Sequence, residues 1–301
     1  MSLHAAVLKK PEELVVRYRL EPTVREIFVE GKSDAGVITR FLRSIGRRDV
    51  TVYEISSVHI PADSVIASGQ PDNVRGRVIY LAFRFQAELA AGSRAATCVA
   101  DRDYDLVLGR EYRCPFLLFI DHSCLEMYAF NAEAIDPLLQ AIAPTLGKNG
   151  NVVLAELHSL LQQLFAIRAT NILLGLGLEW LPSFSDSCTL TENSVEFDQN
   201  GFIERYLNKN GLLKHKDGFL RALEEIRSRM EGDPRLFIRG HDFVHCLSWY
   251  LRAHASKSSP LHRPEILGEL LLAYLEPSLL SATRFFRKLA ERINDTHSEL
   301  S

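Results

Sequence analysis

Carboxylates recur in this 301-residue sequence where short apolar runs end. EIFVE closes on Glu30 and continues as GKSD, bringing in Lys32 and Asp34. ATCVAD closes on Asp101 and continues as RDYD, with Asp103 and Asp105. PFLLFID closes on Asp121, with Glu126 about one turn further on. Carboxylates gathered at one place repel one another, and a divalent cation relieves that repulsion. Mg²⁺ suits such a set: it takes hard oxygen ligands at ~2.1 Å, a few from carboxylates and the rest from water. Asp101 and Asp103 stand at i and i+2, a spacing that directs both side chains to one side of an extended segment. Asp105 follows only if the extended path continues. On a phosphodiester, such an ion neutralises the phosphate and lowers the pKa of a bound water, and a second ion ~3.5–4 Å away stabilises the leaving oxygen. Glu30, Asp101, Asp103 and Asp105 are therefore the candidate metal ligands. Glu30 serves either as ligand or as general acid/base. Lys32 is a candidate phosphate contact, and Gly31 would let backbone approach a phosphate closely.

These carboxylates share a site only if the runs that carry them are parallel strands of one sheet, whose carboxyl ends lie along one edge. The sequence predicts that arrangement. Glu26–Glu30 is a buried strand, followed by a helix from Asp34 to about Ile45 that Ser33 caps. The β-branched stretch Asp49–Ile60 is a second strand. A polar loop with Pro61, Gly69 and Pro71 leads to a helix over Asn73–Ala91. Ala96–Asp101 and Pro115–Asp121 are the third and fourth strands, with a helix starting near Ser123. Strands alternating with helices at these lengths imply βαβ units and a parallel sheet. Beyond about residue 131 apolar residues recur at helical spacing: Leu154 to Phe165, Phe219 to Ile226, Phe243 to Leu251 and Ile266 to Leu280. One short strand is expected at Ser194–Phe197. The expected fold class is α/β with a parallel sheet in residues 1–135 and a mainly helical domain in 136–301.

Other residues have weaker claims. His241 and His245 share a helix face, but HDFVH lacks the glutamate of a zincin motif and no third ligand is evident. Asp242 is expected to cap the helix it begins, with the alternative that His241 and Asp242 border the active site. His122 follows Asp121 and is most simply a structural hydrogen-bonder. Basic residues cluster at Arg43/Arg47/Arg48, at Arg75/Arg77/Arg84/Arg94, at Arg227/Arg229/Arg235/Arg239 and at Arg284/Arg287/Lys288/Arg292. Most are solvated faces, but one or two should meet phosphates if the substrate is a nucleic acid. The stripe Leu267, Leu271, Leu272, Tyr274 and Leu275 is expected to be helix-bundle core, with a partner surface as the alternative.

The net charge of −3 provides no overall attraction to a polyanion, so any such binding must use local patches or bound cations. Five scattered cysteines without a CxxC pair fit a reducing cytoplasm and argue against a disulfide frame or zinc ribbon. No apolar run is long enough for a membrane span. The opening MSLHAAVLKK reaches charge too early for a signal peptide.

At Glu30–Gly31 and Asp101/Asp103 the sequence resembles a Toprim domain, whose pattern is a strand-borne Glu followed by Gly, then a DxD after a later strand. It is more closely similar to the DUF4435 family. That likeness rests on VEGKSD, ADRDYD, IDHSCLEMYAF with Asp121 and Glu126, and the GHD of Gly240, His241 and Asp242, and it spans about residues 24–250. The family is similar to the Toprim effectors of the PARIS anti-phage system. The resemblance implies a Mg²⁺-dependent (alternatively Mn²⁺-dependent) nuclease toxin that cleaves host tRNA, with Glu30, Asp101 and Asp103 in its site. It also implies restraint by an ABC/SMC-like ATPase partner of the AriA type and a homodimer when active. The chain has no GxxxxGK[ST] P-loop, so nucleotide-driven control would come from that partner. Two alternatives stay open: a non-catalytic Toprim binding module, and a Toprim DNA nuclease of the OLD type. A topoisomerase-like reading would need a nucleophilic tyrosine, and Tyr104 is badly placed for that role.

Overall fold

The strand-borne carboxylates are positioned by a four-stranded, wholly parallel sheet in the computed structural model, which describes residues 8–191, 194–254 and 263–294. In chain order the elements are α1 (Pro11–Leu20), β1 (Glu26–Val29), α2 (Lys32–Ser44), β2 (Thr51–Glu54), α3 (Ala62–Ala67), α4 (Val74–Glu88), β3 (Ala96–Ala100), α5 (Asp105–Leu108) and β4 (Leu117–Phe119). There follow α6 (Ala132–Ile142), α7 (Gly150–Leu173), β5 (Cys188–Leu190), β6 (Val195–Phe197), α8 (Gln199–Lys209), α9 (Lys216–Ser228), α10 (Gly240–His254), α11 (Pro264–Ala273), α12 (Pro277–Ser281) and α13 (Arg284–Ile293). No helix among the described residues is long and apolar enough to cross a membrane. Of the opening MSLHAAVLKK, read as no signal peptide, residues 1–7 lie outside the described residues.

The chain divides into two compact units. One comprises residues up to 101, 112–121 and from 276 onward; the other comprises 102–111 and 122–275. This differs from a single boundary near residue 135. The C-terminal segment with α12 and α13 returns to the first unit, and no local signal marks such a return.

In the first unit the strand order is β2-β1-β3-β4, with Val29 level with Glu54, Phe28 with Cys98 and Ala100 with Phe119. The central strands β1 and β3 are buried at every residue, as expected for parallel strands covered on both faces. One face carries Phe28, Cys98 and Ala100 under α1 and α4, with Tyr18, Val78, Leu81 and Phe85 in the core. Phe41 of α2 meets Phe286 of α13 with ring centroids 4.6 Å apart, and Arg292 of α13 bonds Thr97 Oγ1 of β3 at 2.7 Å. Glu26, at the amino end of β1, is committed to structure: it is 2% exposed and ion-paired to Arg17 at 2.7 Å.

Several element boundaries depart from the sequence reading. Helix α2 begins at Lys32, not Asp34. Its cap is Gly31 rather than Ser33, and Asp34 Oδ2 accepts the Gly31 N–H at 2.9 Å. The second strand stops at Glu54, where Ile55–Ser57 makes a 3₁₀ turn and Ser57 Oγ donates to the Glu54 carbonyl at 2.7 Å. The loop after Pro61 contains α3. Asn73 caps α4 by accepting from Gly76 N–H at 2.7 Å. The expected helix after Ser123 is only a 3₁₀ turn over Leu125–Ala129.

The second unit is mainly helical, with β5 and β6 forming a two-stranded antiparallel ribbon. Leu154, Leu157, Leu160, Leu161, Leu164 and Phe165 of α7 are buried, as their spacing predicts. Leu267, Leu271, Leu272 and Leu275 are also buried, whereas Tyr274 is 37% exposed.

Asp121 has a structural task in the first unit. Its Oδ2 accepts the Phe285 N–H at 2.9 Å, satisfying a donor in the first turn of α13 that would otherwise lack an intrahelical partner. Asp121→Ala is expected to cost ~1 kcal/mol, the usual loss for a removed helix cap, read as a lower denaturant midpoint with an unchanged m-value.

Candidate active site

In the order β2-β1-β3-β4, the connections leave β1 in one direction and reach β3 in the other, so the topological switch point lies between these strands. Ligands of open parallel sheets bind outside the carboxyl ends of the strands at such a point. Glu30 directly follows β1 and Asp101 directly follows β3. Glu30 Oε1 accepts the backbone N–H of Asp101 at 2.9 Å. This bond joins residues 71 positions apart and places one acidic side chain against the backbone of another acidic residue at the switch point.

The end of β3 is also held by a buried cation. Arg75, in the first turn of α4, is 6% exposed, and its Nε donates to the Asp101 carbonyl at 2.8 Å. Its guanidinium lies 5.7 Å from the ring centroids of Tyr112 and Phe119. The sequence grouped Arg75 with solvated arginines, and nothing in its neighbourhood distinguishes it from Arg77, which pairs with Asp72 at 2.9 Å. Only the fold shows that the start of α4 is delivered to the edge where β3 ends. Gly76 is required there on steric grounds, since a Cβ would run into the Pro71 carbonyl oxygen.

Lys32 is exposed in the first turn of α2. Gly31 has extended backbone (φ −146°), and a Cβ there would meet only Asp34 Oδ2 at 3.7 Å, so neither conformation nor space demands glycine. Asp34 acts in capping α2, and Asp121 in capping α13.

The DxD stretch straddles the division of the chain: Asp101 belongs to the first unit, Asp103 and Asp105 to the second. The extended path assumed for it ends at once. Asp103 has φ +47°, the one left-handed non-glycine backbone among the described residues. Aspartate tolerates this region better than most side chains, and such conformations gather at functional sites. The Asp103 N–H donates to the Ser123 carbonyl at 2.8 Å within the second unit. The chain therefore turns at Asp103, and the i, i+2 alternation does not apply. Asp105 is buried as the first residue of α5. The Tyr104 ring packs 4.7 Å from that of Phe165, and burial, aided by nearby Asp242, pushes its phenol well up, which disfavours the phenolate a nucleophile needs.

The remaining candidates lie in the second unit. A Cβ on Gly240 would collide with Glu126 Oε2 and lie 2.7 Å from Cys124 Sγ, so close packing explains the glycine of GHD and pairs it with Glu126. Asp242 is the third residue of α10, not its cap. Both its oxygens are held by Arg168, at 2.7 Å from Nε and 2.8 Å from a terminal nitrogen. Arg168 in turn lies 3.6 Å above the Trp180 ring. Arg168 was missed in the sequence because no motif surrounds it. His241 and His245 are both exposed on α10. His122 is buried, 4.0 Å from Asp233 and edge-on to Tyr128.

Among the described residues, no group of three or more His, Cys, Asp or Glu is close enough to hold a metal ion. The switch point offers a pair, Glu30 and Asp101, whose oxygens are of the hard type that Mg²⁺ takes. Mg²⁺ is commonly bound by one or two carboxylates, with waters and substrate phosphates completing the shell; the bond that brings these two residues together runs from Glu30 to the Asp101 backbone and not between their carboxylates. No protein family model matches the sequence, and no curated protein matches it.

Proposed function

We propose that this chain is a Mg²⁺-dependent Toprim endoribonuclease that cleaves tRNA in the cytoplasm. On this reading it is the toxin effector of an anti-phage defence system, kept inactive by an ABC/SMC-like ATPase and dimeric when released. The supporting observation is the bond from Asp101 N–H to Glu30 Oε1 at the β1/β3 switch point. The resemblance at VEGKSD, ADRDYD and GHD supplies the substrate class and the partner.

Bound there, Mg²⁺ would neutralise the scissile phosphate and supply an activated water. The protein's own groups set the geometry. Glu30 accepts the Asp101 N–H and Arg75 donates to the Asp101 carbonyl, so the two hold the backbone of Asp101 at the end of β3 where a phosphate would approach. Lys32, exposed one residue beyond Gly31, provides a cation for a phosphate oxygen. Arg75 is a positioning residue, since it acts through the Asp101 peptide.

The test uses the full chain together with its cognate ATPase and trigger, incubated with total tRNA and with plasmid DNA, in Mg²⁺ and in chelator. Fragmentation of tRNA in Mg²⁺ alone is expected. Cutting of plasmid but not tRNA would assign a DNA nuclease of the OLD type. Failure to cut either, even when activated, would assign a non-catalytic binding module.

A further inference from the structure

We infer that the outer surfaces of α2 and α13 form the face that tracks a nucleic-acid backbone toward the Glu30–Asp101 edge. This inference rests on the nuclease reading above.

Elimination isolates the relevant cations. Most arginines that cluster in the sequence are already engaged. Arg47 pairs with Asp49 at 2.8 Å, Arg77 with Asp72 and Arg235 with Asp233. Arg94 bonds the Asn294 carbonyl at 2.6 Å, and Arg292 the Ala96 carbonyl at 3.0 Å. Several cations of the first unit behave differently, Arg48 just beyond α2 among them. Lys32 and Arg43 on α2, and Arg284, Arg287 and Lys288 on α13, are exposed and have no carboxylate partner among the described residues. Arg287 makes only a local bond to the Thr283 carbonyl at 3.3 Å.

Their spacing makes two stripes. Lys32, Gly36 and Arg43 stand at i, i+4 and i+11 on α2, opposite the buried Val37, Ile38, Phe41 and Leu42. Arg284, Arg287 and Lys288 stand at i, i+3 and i+4 on α13, opposite the buried Phe285, Phe286, Leu289 and Ile293. The single acidic residue on the second stripe, Glu291, sits at its far end.

The two helices are neighbours through Phe41 and Phe286 and through Arg47, whose guanidinium bonds Asn294 Oδ1 at 2.8 Å. Both start at the carboxyl edge of the sheet. Helix α2 leaves β1 through Glu30 and Gly31, and the first turn of α13 is pinned to Asp121 at the end of β4. Two helix N-termini thus lie at the edge that carries the acidic pair; their first turns are already capped by Asp34 and Asp121, so the exposed side chains supply the positive charge. A chain of net charge −3 that holds a polyanion needs such a local concentration of unneutralised cations. A polynucleotide fits because its phosphates continue along the stripes while one of them reaches the carboxylate edge.

The experiment measures fluorescence anisotropy of labelled tRNA with the full chain in chelator, across a salt series. Arg284→Glu/Arg287→Glu/Lys288→Glu is expected to weaken binding at least tenfold at ~100 mM salt and to flatten the log–log salt slope by ~2, since each phosphate contact contributes ~0.7–0.9. The neutral variant with Gln at the same three positions should fall between. Reversing two exposed cations of the second unit, Lys214→Glu/Arg221→Glu, should change affinity less than twofold. Unchanged affinity and slope in the triple reversal would overturn the inference. So would binding of the wild type to phosphatidylserine vesicles but not to tRNA. A wild type that binds tRNA through this face yet never cleaves it would sustain the inference while refuting the nuclease reading. Cleavage that persists in the triple reversal with intact binding would do the opposite.

Discussion

Glu30→Ala is expected to lower Mg²⁺-dependent cleavage by roughly 10²–10³-fold, the scale of losing one electrostatic contact preorganised at a reacting centre. Two effects combine in that variant. It removes a negative charge from the switch point, and it removes the acceptor of the Asp101 N–H, leaving a donor to be satisfied elsewhere at a cost of ~1–3 kcal/mol. Glu30→Gln separates them. An amide oxygen can still accept from Asp101 N–H, so stability should stay within ~0.5 kcal/mol of wild type. The charge is lost, so cleavage should fall nearly as far as with Ala. Denaturant midpoints and cleavage rates of both variants check this. A Gln variant with wild-type rates would mean that Glu30 only organises the end of β3.

Asp242→Ala is expected to destabilise the second unit by ~3–5 kcal/mol, the cost of breaking one side of a buried pair. Both partners are mostly sheltered, with side-chain exposures of 19% for Arg168 and 10% for Asp242, and two parallel hydrogen bonds join them. Replacing both partners by apolar residues, Arg168→Met with Asp242→Leu, should recover most of the loss, because no buried charge is then left uncompensated. Urea melts of the three proteins test this; equal midpoints for Asp242→Ala and wild type would refute it. The aspartate of GHD is on this account a structural residue, so its loss should reduce activity in proportion to unfolded protein and not through the chemistry.

The sequence made the sheet legible and left much of the site obscure, for different physical reasons. Strands β1 and β3 are central and covered on both faces, so IFV and ATCVA read as short runs free of charged residues. The carboxylates at their ends were visible because each stands one residue beyond such a run. The edge strand β2 was overextended because Ile55 and Val58, which suit a strand, lie in or next to a 3₁₀ turn stabilised by Ser57. The reversal at Asp103 was hidden because any alternating stretch looks extended until its backbone angle is known. The capping duties of Asp34 and Asp121 were read as site chemistry, since a cap and a ligand ask for the same side chain. Arg75 and Arg168 were opaque for a related reason: an arginine's role depends on distant partners, here the Asp101 peptide and Asp242.

The account stands on Glu30 and Asp101 jointly holding a hard divalent ion, and Mn²⁺ titration followed by electron paramagnetic resonance addresses this most directly. Mn²⁺ reports binding without requiring activator, substrate or turnover. The wild-type chain is expected to bind Mn²⁺ in competition with Mg²⁺, and Glu30→Gln and Asp101→Asn should each weaken that binding at least tenfold. Equal Mn²⁺ affinity in the wild type and in both variants would contradict the account.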